Sequence, residues 1–196
     1  MEKCIKKQKF GIRQLVIIGM LSGISIFMGL TGLGFIPLPF MKATIMHVPV
    51  IIGAIIEGPI VGMMVGLVFG LFSMYQAATA PVLLSPFFLN PIVSLVPRIL
   101  IGLVAYYIYK FFKNKFKNES ISVGIAAVLG TLTNTVGVLG LIYILYLNQY
   151  ANLMGISQEV AGSAIGTIAL TNGIPESIVS ALIAIPVVKA IQKLKK

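Results

Sequence analysis

Few side chains able to do chemistry fall inside the apolar segments of this sequence. They are Lys42, the sole histidine His47, Arg98, Asn134 and Glu176. Arg98 can hold a carboxylate through two parallel N–H bonds. Lys42 can draw an anion to the mouth of a site, or simply extend along its own stem to water. Asn134 offers two donors and an acceptor, which suits an amide or hydroxyl on a ligand and suits a neighbouring helix equally well. His47 can hydrogen-bond a ligand or another helix. Glu176 either pairs with Arg98 as an interior staple or contacts a ligand. One histidine, one distant cysteine at Cys4 and no aspartate leave too few donors for a dedicated metal site.

The motifs of catalysis are missing. No G-x-x-x-x-G-K-[ST] loop is present to hold ATP phosphates, and no G-x-S-x-G accompanies His47. Without clustered acids, metal-assisted phosphotransfer is not expected either. The chain reads as a binding or transport component with no cofactor, not as an enzyme. A membrane enzyme would show activity in the purified chain.

The elements that must position these residues are membrane helices. Hydrophobic residues make up 58% of the 196 and charged residues 10%, with a mean hydropathy of +1.01, outside the range of water-soluble domains. A net charge of +10 would suggest nucleic acid on a soluble surface. Here thirteen of the fifteen Lys and Arg fall in three clusters, at residues 3–13, 110–117 and 189–196. That distribution is a topology signal and gives no reason to expect a nucleic-acid partner. If all three clusters are cytoplasmic, an even number of spans separates each from the next. Six transmembrane helices with both termini cytoplasmic follow, in a multi-pass protein of the cell membrane.

The expected fold is therefore an all-α integral membrane protein, one domain over residues 1–196, with helices near 14–30, 43–56, 60–76, 92–112, 122–147 and 162–193. Residues 14–30 lack an A-x-A-like cleavage site, so the start is read as a first span and not as a signal peptide. On that span Gly19, Ser22 and Gly23 form a small-residue patch suited to close helix approach, inside the bundle or against an external partner. Gly62, Gly66 and Gly70, four apart, predict close packing of the third helix. The second helix is short for a span, about 21 Å against a core of about 30 Å, so its outer end needs shelter. Before it, the Gly- and Pro-broken stretch 31–43 is read as an external lid. Gly173 and Pro175 are expected to interrupt the last helix just before Glu176.

Helix rise places the polar residues at one depth. Counted inward from the basic anchors at about 1.5 Å per residue, His47, Arg98, Asn134 and Glu176 all lie about 15 to 21 Å from the cytoplasmic end. A charge at that depth costs at least about 2.5 to 3.5 kcal/mol, so Arg98 and Glu176 should face a partner or a wet cavity.

Taken together, LGFIPLPFMKATIMHVPVIIGAIIEGP (33–59), the GMMVGLVFG run of the third helix, SLVPRILIG (94–102) and TNGIPE (171–176) resemble the substrate-binding S component of energy-coupling factor (ECF) vitamin transporters. The similarity spans nearly the whole chain and is greatest to the branch with pantothenate- and hydroxymethylpyrimidine-type components. It implies a membrane T component and two cytoplasmic ATPase subunits as partners, and a small water-soluble vitamin as ligand. It also implies a site closed by the outward loops, which adds Asn90 to Lys42, His47, Arg98, Asn134 and Glu176. The family couples to its T component through Ala-x-x-x-Ala on the first helix, matched here by Gly19-x-x-x-Gly23. Pantothenate is the leading ligand; hydroxymethylpyrimidine, a pyridoxine form or folate are alternatives, as is a stand-alone carrier or channel.

Overall fold

The computed structural model describes residues 11–38, 41–80, 84–116 and 118–194, with the side chains of 35–38 and 41–43 left aside. Lys3, Cys4, Lys6, Lys7, Lys9, Lys117, Lys195 and Lys196 lie outside the described residues, as does the side chain of Lys42.

The order of elements is α1 (Ile12–Leu30), β1 (Phe35–Leu38), β2 (Met41–Thr44), α2 (Val48–Glu57), α3 (Pro59–Thr79), α4 (Ser85–Phe88), α5 (Pro91–Lys115), α6 (Glu119–Met154) and α7 (Gln158–Leu194). Five of these, α1, α3, α5, α6 and α7, are long and apolar enough to cross a membrane. Helix α2 has ten residues, about 15 Å of rise, and cannot cross alone. It compensates by burial: every residue from Val48 to Ile55 is inside, and Val50, Ile51 and Ala54 are fully enclosed. The main apolar core is built around it, with Val61 and Val65 from α3, Ile101 and Ala105 from α5, Val123 and Ala127 from α6 and Ala184 and Val188 from α7.

The all-helical expectation is met by the bundle itself, and three local features differ from the sequence reading. First, the connection between α1 and α2 carries a short antiparallel hairpin, β1 with β2, with Phe35 opposite Thr44 and Pro37 opposite Lys42. A proline is tolerated there because each strand of a two-stranded ribbon keeps a free edge. Second, α2 starts at Val48 and not at Ala43, since Ala43 and Thr44 belong to β2 and Pro49 occupies the first helical turn, where its missing N–H is harmless. Third, α7 runs unbroken through Pro175 and Pro186. A proline removes one ladder bond, and packing on either side of Pro175 carries the helix past it; Gly173 lies against Leu132 and Thr135 of α6. The irregularity lies instead in α6, at Tyr146, whose φ of −134° and ψ of 16° are not helical.

Close approach of α3 and α5 fixes the backbone that carries Arg98. A Cβ added at Gly66 would lie 2.2 Å from the Arg98 carbonyl oxygen, and one at Gly102 would lie 2.4 Å from the backbone of Gly62. On the other side of α5, Pro97 packs against Gly137 of α6. Arg98 is thus wedged between two helices whose surfaces admit no further atoms.

Candidate functional site

His47 sits one residue before α2 and is fully enclosed. Its Nε2 lies 2.8 Å from Thr131 Oγ1 on α6, and its Nδ1 has no hydrogen-bond partner among the described residues. One turn further along α6, Asn134 is buried and its Oδ1 is also without a partner among them. Thr131, Asn134, Thr135 and Val138 recur at three- and four-residue spacing and form the buried stripe of α6.

Arg98 is buried, and Nη1 donates to the Val93 carbonyl at 2.7 Å. Its guanidinium lies over the rings of Phe88 and Phe69, at 5.1 and 5.7 Å from their centroids, within cation–π range. Arg98 Nε has no partner, and no carboxylate pairs with the group among the described residues.

Glu176 is buried too and does not pair with Arg98. Its Oε1 accepts the backbone N–H of Thr44 at 2.8 Å, and its Oε2 lies 3.5 Å from Thr135 Oγ1, whose single hydrogen is shared between that oxygen and the Thr131 carbonyl at 3.3 Å. The carboxylate from α7 thus grips the last residue of the hairpin. A second tie lies close by, where Ser25 Oγ of α1 donates to the Met46 carbonyl at 3.2 Å.

Asn90 caps α5: Oδ1 accepts from the Ile92 N–H at 2.9 Å and Nδ2 donates to Tyr146 OH at 2.5 Å. Both ends of its amide are therefore engaged. On α1, a Cβ built at Gly19 or Gly23 meets nothing within 4 Å, and both glycines lie on an exposed face with Leu15, Met20 and Phe27. Ser22 is turned inward, 6% exposed. Beside that face an apolar groove of about 440 Å³ runs between α1, α2 and α7, lined by Met20, Ile24, Ile52, Val187 and others, with Arg13 as its one charged residue.

The structure thus buries all four residues and ties His47 and Glu176 to the stripe of α6 that carries Asn134, while no hydrogen bond or ion pair among the described residues joins Arg98 to the other three. The sequence reading did not assign Thr44, Thr131, Thr135, Phe69 or Phe88 to the site. Thr131 and Thr135 were signalled by their spacing with Asn134, whereas Thr44 takes part through its backbone N–H, which no residue type marks. Phe88 and the Val93 carbonyl carried no such signal, because a ring or a backbone oxygen becomes a partner only through tertiary packing.

Comparisons with known proteins agree with this architecture. The family described as "ECF transporter, substrate-specific component" matches residues 13–188. The chain is 34% identical over 174 residues to the "Pantothenic acid transporter PanT" of Lactococcus lactis subsp. cremoris (strain MG1363), covering 80% of this chain and 81% of that one. It is 33% identical over 148 residues to the "Pantothenate transporter PanT" of Leuconostoc mesenteroides subsp. mesenteroides, covering 71% and 72%. Its fold matches a solved structure described as "Structure and mechanism of the S component of a bacterial ECF transporter" with a TM-score of 0.62 at 22% identity, over 94% of this chain and 98% of that one. A multi-pass membrane chain with buried polar side chains and a match along nearly its whole length, this protein belongs to the family of substrate-specific components of ECF transporters.

Proposed function

We propose that the chain binds pantothenate at the belt of His47, Arg98, Asn134 and Glu176 and hands it to an ECF transport complex. The observation that carries this reading is Arg98: a buried cation with two aromatic rings, one carbonyl and no carboxylate around it among the described residues. An unpaired charge at such depth is costly. A ligand carboxylate removes that cost, whereas a neutral ligand does not. Glu176, already held by Thr44 and Thr135, leaves Arg98 available for an anion. The similarity to two pantothenate transporters supports the same ligand.

In this reading the hairpin is the lid, Lys42 lies on its second strand near the mouth, and Asn90 fixes the start of α5 at the same end. Six spans, counting α2, place both termini in the cytoplasm. A T component docks on the open Gly19–Gly23 face, and two cytoplasmic ATPase subunits supply the energy for which this chain has no phosphate loop. Calorimetric titration of the purified chain tests the ligand assignment. Pantothenate should bind, and hydroxymethylpyrimidine and pyridoxine should bind weakly or not at all. Tight binding of either neutral compound with no binding of pantothenate would overturn the assignment.

A further inference from the structure

The hydrogen-bond chain behind His47 defines what its free nitrogen can do. Thr131 Oγ1 has two polar neighbours, the Ala127 carbonyl at 2.8 Å and His47 Nε2 at 2.8 Å. A hydroxyl has one hydrogen. The carbonyl can only accept, and two oxygens at 2.8 Å need that hydrogen between them. The hydroxyl therefore donates to Ala127, as helical threonines commonly do to the fourth residue back. What it turns toward His47 is a lone pair, so the imidazole must donate through Nε2–H.

A neutral imidazole carries one N–H, and this one is fully enclosed with no described carboxylate bonded to it. Nδ1 is then a bare acceptor. No donor among the described residues serves it: Pro49 in the first turn of α2 has no N–H, and the Val50 and Ile51 N–H groups both go to the His47 carbonyl. Among the described residues Asn134 Oδ1, on the same stripe of α6 as Thr131, is a second unserved acceptor, and Arg98 Nε is an unserved donor on a cation.

We infer that Thr131 is a positioning residue that locks His47 as a hydrogen-bond acceptor. The belt then demands a ligand with one anionic group for Arg98 and hydroxyl or amide donors for His47 Nδ1 and Asn134 Oδ1. This rests on the reading of the belt as the ligand site. It deepens that reading, because pantothenate carries a carboxylate, two hydroxyls and an amide N–H, whereas a carboxylate without donors would satisfy Arg98 alone. Thr131 enters as a residue that shapes specificity without touching the ligand.

Because the chain has a single histidine, selective ¹⁵N-histidine labelling of the full chain in nanodiscs reports His47 alone. In the free wild type, Nε2 should carry the proton and Nδ1 should not. Saturating pantothenate should shift the Nδ1 resonance in the direction of an accepted hydrogen bond. Thr131→Ser should keep both signatures and the affinity. Thr131→Val should mix the two tautomers and weaken pantothenate by up to about tenfold, the scale of one hydrogen bond. A free wild type protonated at Nδ1 overturns the inference. So does pantothenate binding that leaves Nδ1 unmoved, and in that case the ligand assignment survives. Absence of pantothenate binding overturns the assignment itself, while the tautomer in the free chain still tests the relay through Thr131.

Discussion

The basic end of the bundle and its polar belt handle charge differently. At the basic end Glu57 sits 3.1 Å from Arg13 and Glu119 sits 3.3 Å from Lys113, and all four side chains keep some contact with solvent. Tyr109 OH joins the second pair, donating to Glu119 Oε1 at 2.9 Å and accepting from Lys113 Nζ and Gln192 Nε2, so α5, α6 and α7 are tied at that end. In the belt, Arg98 and Glu176 are 5% and 4% exposed, and neither is paired with an opposite charge among the described residues. Pairs in water cost little and contribute little. Buried ions without partners are expensive. The cheap pairs join the ends of helices, and in the proposed reading the expensive cation is left for a ligand.

If that contrast is right, removing a charge should act on binding in the belt and hardly act at all at the basic end. Arg98→Met should produce the largest effect: pantothenate affinity should fall by a hundredfold or more, about 3 to 5 kcal/mol, on the scale of removing one partner of a buried charge pair. The ligand-free chain should unfold at the same or a higher temperature, since an unpaired buried cation is gone. Calorimetry and a thermal unfolding scan read the two halves of this prediction.

Glu176→Ala should come next. Its carboxylate holds the Thr44 N–H, and a charge-assisted bond of this kind is worth about 1.5 to 3 kcal/mol. Loosening the hairpin should speed pantothenate release by about tenfold or more, measured by chasing radiolabelled ligand with unlabelled. An unchanged release rate would detach Glu176 from the lid.

Lys113→Met should have the smallest effect. Lys113 is half exposed, so its loss should change stability by less than about 1 kcal/mol and leave pantothenate affinity unchanged. A large loss of binding here would mean that the two ends are coupled and would undo the contrast.

That His47, Arg98, Asn134 and Glu176 would be interior was legible in the sequence: each stands out from an apolar segment, and a polar side chain in a membrane helix turns inward. Their partners were not legible. Glu176 binds a backbone N–H, Arg98 binds a backbone carbonyl and two rings, and neither kind of partner is marked by residue type. Thr131 and Thr135 could have been found, because they share the helical stripe of Asn134 while Thr133 does not.

The hairpin was hidden for a different reason. Its glycines and prolines read as a break, and only four residues per strand carry the pairing, with Pro37 inside one of them. In α7 the opposite error arose from the same residues: Gly173 and Pro175 read as an interruption, yet contact with α6 holds the helix through them. Local breakers mark where a chain can bend. Packing decides whether it does.

The central claim is that Arg98 is kept unpaired for the ligand's carboxylate. It is tested most directly by measuring affinities of pantothenate and of pantothenol, in which an alcohol replaces the carboxylate, for wild type and for Arg98→Met. The wild type should prefer pantothenate by about a hundredfold, and Arg98→Met should bind the two within a few-fold of each other. A preference for pantothenate that survives undiminished in Arg98→Met, or a wild type that binds both compounds equally, would contradict it.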